Sequence, residues 1–325
     1  MVEAVLRPLG SRFVYLSYEE HDLVTANTQA VTHAAFLRYE SIIIAYRILM
    51  RSFSMGTAWC SAQSYPWEQG LYVGGIETAK VNLTLRIYSN LWHVYAGLAI
   101  LNPSARVQID RYAASATELF KMMLEGGNGG DDKQIAFKKR IEWAQYVVFG
   151  QEKQRRPILL SQEVLDRFTL GNSPQSARIS LSPSSSASPT LKYKPNSHLS
   201  LLAMVDCWAH LGINPYTHLS LAATPIFRLF LGVAEHLFLS PPLLSASIHS
   251  ALFDTWHRAD DLEFVVAARG WSQCVSFGNF EVYKRRFQDT RKFFEGRFEE
   301  AGVVGSEMIK AVMESELKRE DEVEN

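Results

Sequence analysis

The sequence is short of most features that announce a function. Its three cysteines, Cys60, Cys207 and Cys274, stand far apart, with no C-x-x-C pair and no Cys/His metal spacing. That excludes a disulfide scaffold or a zinc ribbon and reads as reduced, buried thiols of an intracellular protein. Neither sign of charge is in excess: the formal net charge is −1, so general affinity for nucleic acid or an anionic membrane is not expected. The opening MVEAVLRPLGSRF has no apolar signal-peptide core, which points to a cytoplasmic protein. The most lipid-like stretch, Leu219 to Leu239, is interrupted by Arg228, Glu235 and His236 and reads as a buried helix rather than a membrane span. Catalytic signatures are missing too. There is no G-x-S-x-G, no P-loop, no G-x-G-x-x-G and no H-E-x-x-H, and the nine histidines are scattered.

Strand patterning is also absent, since no stretch alternates apolar and polar residues between hairpin turns. What is present is apolar and helical. The chain has 325 residues, 47% hydrophobic and 12% aromatic, enough to bury a substantial core. Apolar residues recur at helical spacing along most of it, and breaks fall at Asn102-Pro103, the glycine-rich EGGNGGDD, Gly212 and Pro241-Pro242. The periodicity predicts helices over Ile76–Leu101, from Ser104 to Leu124, over Lys133–Gly150, and from Asn196 or Ser197 to Leu211. Further helices are predicted over Tyr216–Leu239, Leu243–Arg269 with an interruption near Asp254, and from Phe280 onward. Asp131 and Asp132 read as partners of a helix N-terminus rather than metal ligands. Residues 171–195, rich in Ser and Pro, read as a flexible loop. The expected architecture is all-α, a single domain over 1–325 with about ten helices around an apolar, aromatic-lined cavity.

Chemistry concentrates between Asp254 and Arg286. Asp260 and Glu263 share a helix face, as do His257 and Asp261, so several carboxylates can point into one cavity. Such a set is costly without a cation, and hard ions such as Mg²⁺ prefer oxygen ligands. Beyond lie Asn279, Glu281 and Lys284, with Arg285 and Arg286 after them; Lys284 falls on one face with Phe280 and Phe287. Oxygens followed by cations suit a metal diphosphate, while a solvated charged face is the plainer alternative.

The residues DDLEF at 260–264 and NFEVYK at 279–284, in an all-α chain, resemble class I terpene cyclases. More specifically they resemble the atypical fungal sesquiterpene cyclases that make humulene. The acids run D-D-x-E, and Tyr283 and Phe287 stand where the ordinary N-S-E triad has Ser/Thr and Glu. The resemblance implies two Mg²⁺ ions and a cyclisation of farnesyl diphosphate to a humulene-type hydrocarbon. On it, Asp260, Asp261, Glu263 and Asn279 hold metal and Lys284 is essential, with Arg258 or Arg285 assisting at the diphosphate. Phe280 would control the product and Tyr283 would line the substrate. Glu40, Glu77, Glu142, Asp206 and Glu235 stay open as further ligands, and a homodimer is possible. A non-enzymatic helical regulatory domain and a prenyltransferase are the alternative readings.

Overall fold

The computed structural model describes residues 5, 7–9, 13–31, 75–150, 196–217, 225–299, 301–303 and 305–311. Every regular element among them is helical and none is a strand, as the patterning required. The Ser/Pro-rich stretch 171–195, the short helix read near Ser161 and the open ligand candidate Glu40 lie outside the described residues.

Among the described residues ten α-helices carry the fold: α1 (Tyr18–Thr25), α2 (Gly75–Ser89), α3 (His93–Leu101), α4 (Pro103–Asn128), α5 (Asp131–Phe149), α6 (Leu199–Leu211), α7 (Pro225–Phe238), α8 (Pro241–Phe253), α9 (Arg258–Ser276) and α10 (Phe280–Phe294). The organising element is α4. Its 26 residues extend about 39 Å at 1.5 Å per residue. It starts where Pro103 sits in the first turn, its missing N–H costing nothing there, and the Asn102 side chain accepts from Ala105 N at 3.0 Å. Asn102, rather than Ser104, is therefore the cap. Ile109, Tyr112, Ala116, Leu119 and Met123 line its buried face, against which α5, α6 and α9 pack. From Leu199 to Ala209 every residue of α6 is buried, the signature of a helix surrounded on all sides.

Several breaks differ from the expected ones. The long helix over 76–101 is two, divided at Asn90-Leu91, where the Asn90 amide donates to Arg86 O and to Tyr95 Oη, both at 2.8 Å. A side chain that satisfies a freed carbonyl makes such a break tolerable. Conversely, α4 runs through Gly126 and Gly127, and α9 runs through Gly270. These glycines serve close approach instead of termination. A Cβ on Gly127 would lie 2.5 Å from the Leu252 carbonyl oxygen, so α8 can reach α4 only because none is there. Gly127→Ala is expected to lower stability by about 1–3 kcal/mol, since backbone must shift to admit the methyl. A denaturant midpoint equal to or above the parent's would show that the approach imposes no such limit.

After α1 the chain passes through one π-turn, Ala26–Ala30, whose buried Asn27 accepts from Gln108 of α4 at 2.7 Å. Among the described residues no single helix is long and apolar enough to cross a membrane; α7 and α8 meet that length and composition only as a pair bent by 83°. Their apolar side chains, Phe227, Phe230 and Phe238 included, are buried in the core. The aromatic residues pack on one another as well: Tyr88 and Phe287 stand 4.8 Å apart, and Tyr283 stacks on Phe287 at 6.4 Å.

Candidate functional site

The residues singled out around α9 and α10 fall into two groups, and the fold keeps the groups apart. The acids sit at the first turn of α9, while Asn279 caps α10 just past its far end, a helix length of roughly 27 Å away. Asp261 is buried and both its oxygens are engaged: His257 Nδ1 lies 2.7 Å from Oδ2, and Ser197 Oγ donates to Oδ1 at 2.8 Å. The other ring nitrogen of His257 is 2.9 Å from Ser250 Oγ, and Ser247 donates to Ser197 O at 2.6 Å. A Ser–His–Asp chain results, but Ser250 is fully buried within α8. Its geometry ties the starts of α6 and α9 to α8. His198 marks the same junction with a left-handed φ of 50°. Half-buried Asp260 and Glu263 flank it, the Glu263 carboxyl pushed up by burial. Arg258 donates to the carbonyls of Ala251 and Asp254, at 2.9 and 3.2 Å, and so closes the end of α8.

A second acidic set, Glu118, Asp206 and His210, brings three ligand atoms within 4.8 Å of one another. Arg140 already supplies the positive charge there. Its guanidinium donates to Asp206 at 2.5 Å and to Glu118 at 3.0 Å, and lies over the Trp143 ring. Glu235, another open candidate, accepts from Tyr216, and Glu142 pairs loosely with Lys138.

The second group does assemble. The Asn279 side chain accepts from Glu281 N and Val282 N, starting α10 so that Phe280, Tyr283 and Phe287 face inward. Partly buried Phe280 meets the edge of Trp92, and the Lys284 ammonium lies 5.7 Å from the same ring. One turn deeper, Tyr283 is fully buried and crosses Trp271 edge-on at 5.0 Å. Arg285 is exposed, whereas Arg286 folds back over the other side of Trp271, through the space that Gly270 leaves open.

This aromatic floor has cations at its rim. Arg86, at the end of α2, is half-buried and its guanidinium makes no ion pair among the described residues. It acts electrostatically on Tyr95 of α3, whose phenol burial pushes up to about 12, while the hydrogen bond from Asn90 and the charge of Arg86 pull the other way. Tyr95 in turn interacts with Tyr283, whose own hydroxyl is pushed far up by burial. Both phenols therefore stay protonated at any ordinary pH. Sequence reasoning found Phe280, Tyr283 and Lys284 by spacing, and missed Arg86, Tyr95, Trp92 and Trp271. The available signal was a lone Arg late in an apolar helix, followed by an Asn that breaks it.

The described residues thus define an all-helical domain with an aromatic, cation-rimmed site built by α2, α3, α9 and α10. Comparison with protein families gives the class. Residues 48–314 match the 6-phosphogluconate dehydrogenase C-terminal domain, in the variant form that defines a family of its own, and the chain belongs to that family. Among characterised relatives it is 48% identical over 314 residues to the prephenate dehydrogenase [NADP(+)] of Saccharomyces cerevisiae, covering 96% of this chain and 62% of that protein. It is 44% identical over 317 residues to the probable prephenate dehydrogenase [NADP(+)] of Schizosaccharomyces pombe, covering 97% and 65%. The chain therefore spans a little under two thirds of the length of these relatives. No solved structure matches it.

This family membership overturns the sesquiterpene cyclase reading. The chain does not group with lyases that close farnesyl diphosphate to humulene, and the regulatory-domain and prenyltransferase alternatives fall with it. Mg²⁺ is corrected likewise: the relatives' names specify NADP⁺, and the fold gives the physical reason why two Mg²⁺ ions have no assembled shell among the described residues. Asp261 is engaged by His257 and Ser197, and Asn279 by the α10 N-terminus. The D-D-x-E and N-F-E-V-Y-K strings are short enough to arise where an acidic helix start and a capped helix adjoin.

Proposed function

We propose that this chain is the helical, substrate-holding part of an NADP⁺-dependent prephenate dehydrogenase. Identity of 48% to one such enzyme supports the reading. The observation on this molecule that carries it is Arg86, without an ion pair among the described residues, above an aromatic floor. Prephenate is a six-membered ring bearing a carboxylate, a keto-acid side chain and a hydroxyl. A guanidinium fork is the group that best matches a carboxylate, and a half-dry setting strengthens the pair. Lys284, over Trp92, supplies a second positive charge for the second carboxylate. Trp92 and Phe280 give the ring a flat apolar wall.

The described residues do not fit a dinucleotide phosphate site of the usual kind. That site needs a strand, a glycine-rich turn and a helix, and here the regular elements are all helical and no G-x-G-x-x-G occurs in the sequence. No step through NADP⁺ is therefore assigned to them. Their part is to bind and orient the dianion and to keep water from its ring.

Prephenate is expected to raise the melting temperature of the purified chain in a saturable way, equally with and without EDTA, because it binds the folded state alone. Benzoate, which has one carboxylate and no side chain, should shift it far less at equal concentration. No shift with prephenate, or a shift that needs Mg²⁺, would remove the proposal.

A further inference from the structure

Two donors in the floor of this site have no acceptor among the described residues. The indole N–H of Trp271 and the hydroxyl of Tyr283 make no hydrogen bond there, although the residues are only 2% and 0% exposed. Their rings touch, with centroids 5.0 Å apart. Buried polar groups are nearly always paired, so two adjacent orphans of the same kind point to a missing partner. Its chemistry follows from theirs. Indole N–H only donates, and burial keeps the Tyr283 hydroxyl protonated, so the partner is an acceptor oxygen. Both donors are neutral and lie in a dry, ring-lined floor, where a carboxylate would be costly to bury and an uncharged carbonyl costs far less. Phe280, one turn above Tyr283 on the same face and only partly buried, is the door through which a planar group would enter.

We propose that Trp271 and Tyr283 form a ketone-binding subsite that takes the side-chain carbonyl of the substrate, while Arg86 and Lys284 hold its carboxylates at the rim. The inference rests on the prephenate reading above but is separable from it. Neither residue touches the ring atoms that react, so both are specificity-determining residues.

The test uses the ¹H–¹⁵N spectrum of the tryptophan indoles, with the Trp271 signal assigned by its loss in Trp271→Phe. Prephenate should move that signal downfield, the direction of a newly accepted hydrogen bond. Wild type should bind prephenate about tenfold more tightly than the analogue whose side-chain ketone is reduced to an alcohol. Trp271→Phe and Tyr283→Phe should each bring that preference close to one while keeping the Arg86-dependent binding. Phenylpyruvate, which has the keto acid but no ring carboxylate, is the second probe and should move the same indole more weakly. If prephenate binds and neither the indole nor the preference responds, the subsite is overturned and the prephenate reading stands. If prephenate does not bind but phenylpyruvate moves Trp271, the subsite stands and the prephenate reading falls. If neither ligand moves it, the subsite is overturned outright.

Discussion

Replacing Asp261 with Ala is expected to cost about 3–5 kcal/mol of folding stability, the range seen when one member of a buried, hydrogen-bonded charged set is removed. The substitution strips His257 and Ser197 of their acceptor together, and both are buried. It also unties the starts of α6 and α9 from α8, because Ser250 and Ser247 complete the same chain. Asp261→Asn should lose less, since an amide oxygen can still accept from one of the two. The contrast with a metal site is sharp. Were Asp261 a cation ligand, removing it would cost little in a metal-free buffer, and added Mg²⁺ would stabilise the parent alone. We expect the full loss in EDTA and no Mg²⁺ effect on the parent. Denaturant titration of the three proteins in both buffers decides this.

Arg86→Ala is expected to weaken prephenate binding about 100-fold while leaving the melting temperature within about a degree. A charge-assisted hydrogen bond is worth roughly 1.5–3 kcal/mol, and a fork makes two of them. Stability should not follow, because Arg86 makes no ion pair among the described residues that its removal would break. Arg86→Lys should recover only part of the loss, since a point charge cannot match both carboxylate oxygens in one plane. Calorimetric titration of prephenate into the three proteins reads the ratio directly. Equal affinity in Arg86→Ala would move the carboxylate site elsewhere, with Lys284 the next cation to test.

Helices were legible in the sequence because their signal is local. The 3.6-residue spacing of Ile109, Tyr112, Ala116 and Leu119, and the Asn-Pro at 102–103, need no knowledge of the rest of the fold. Glycines misled where their role was tertiary. Gly126, Gly127 and Gly270 look like helix ends, yet they lie within helices at close approaches to Leu252 and Arg286. Asp260 and Asp261 misled for a related reason. An acidic pair in the first turn of a helix is stabilised by the backbone itself and, at Asp261, by a histidine four residues before it. From spacing alone, such a pair cannot be told from a metal ligand set. The cations that rim the site were scattered across α2 and α10, 198 positions apart for Arg86 and Lys284, and only the packing of α10 on α2 and α3 joins them. The family itself was not legible, because what relates this chain to its relatives is spread over some three hundred residues and not gathered in a motif.

The measurement that tests the central claim most directly is a structure of the chain crystallised with prephenate. The account predicts one molecule at the junction of α2, α3 and α10, its ring against Trp92 and Phe280 and a carboxylate within hydrogen-bond distance of the Arg86 guanidinium. Prephenate bound away from Arg86, or absent from the site at saturating concentration, would contradict it.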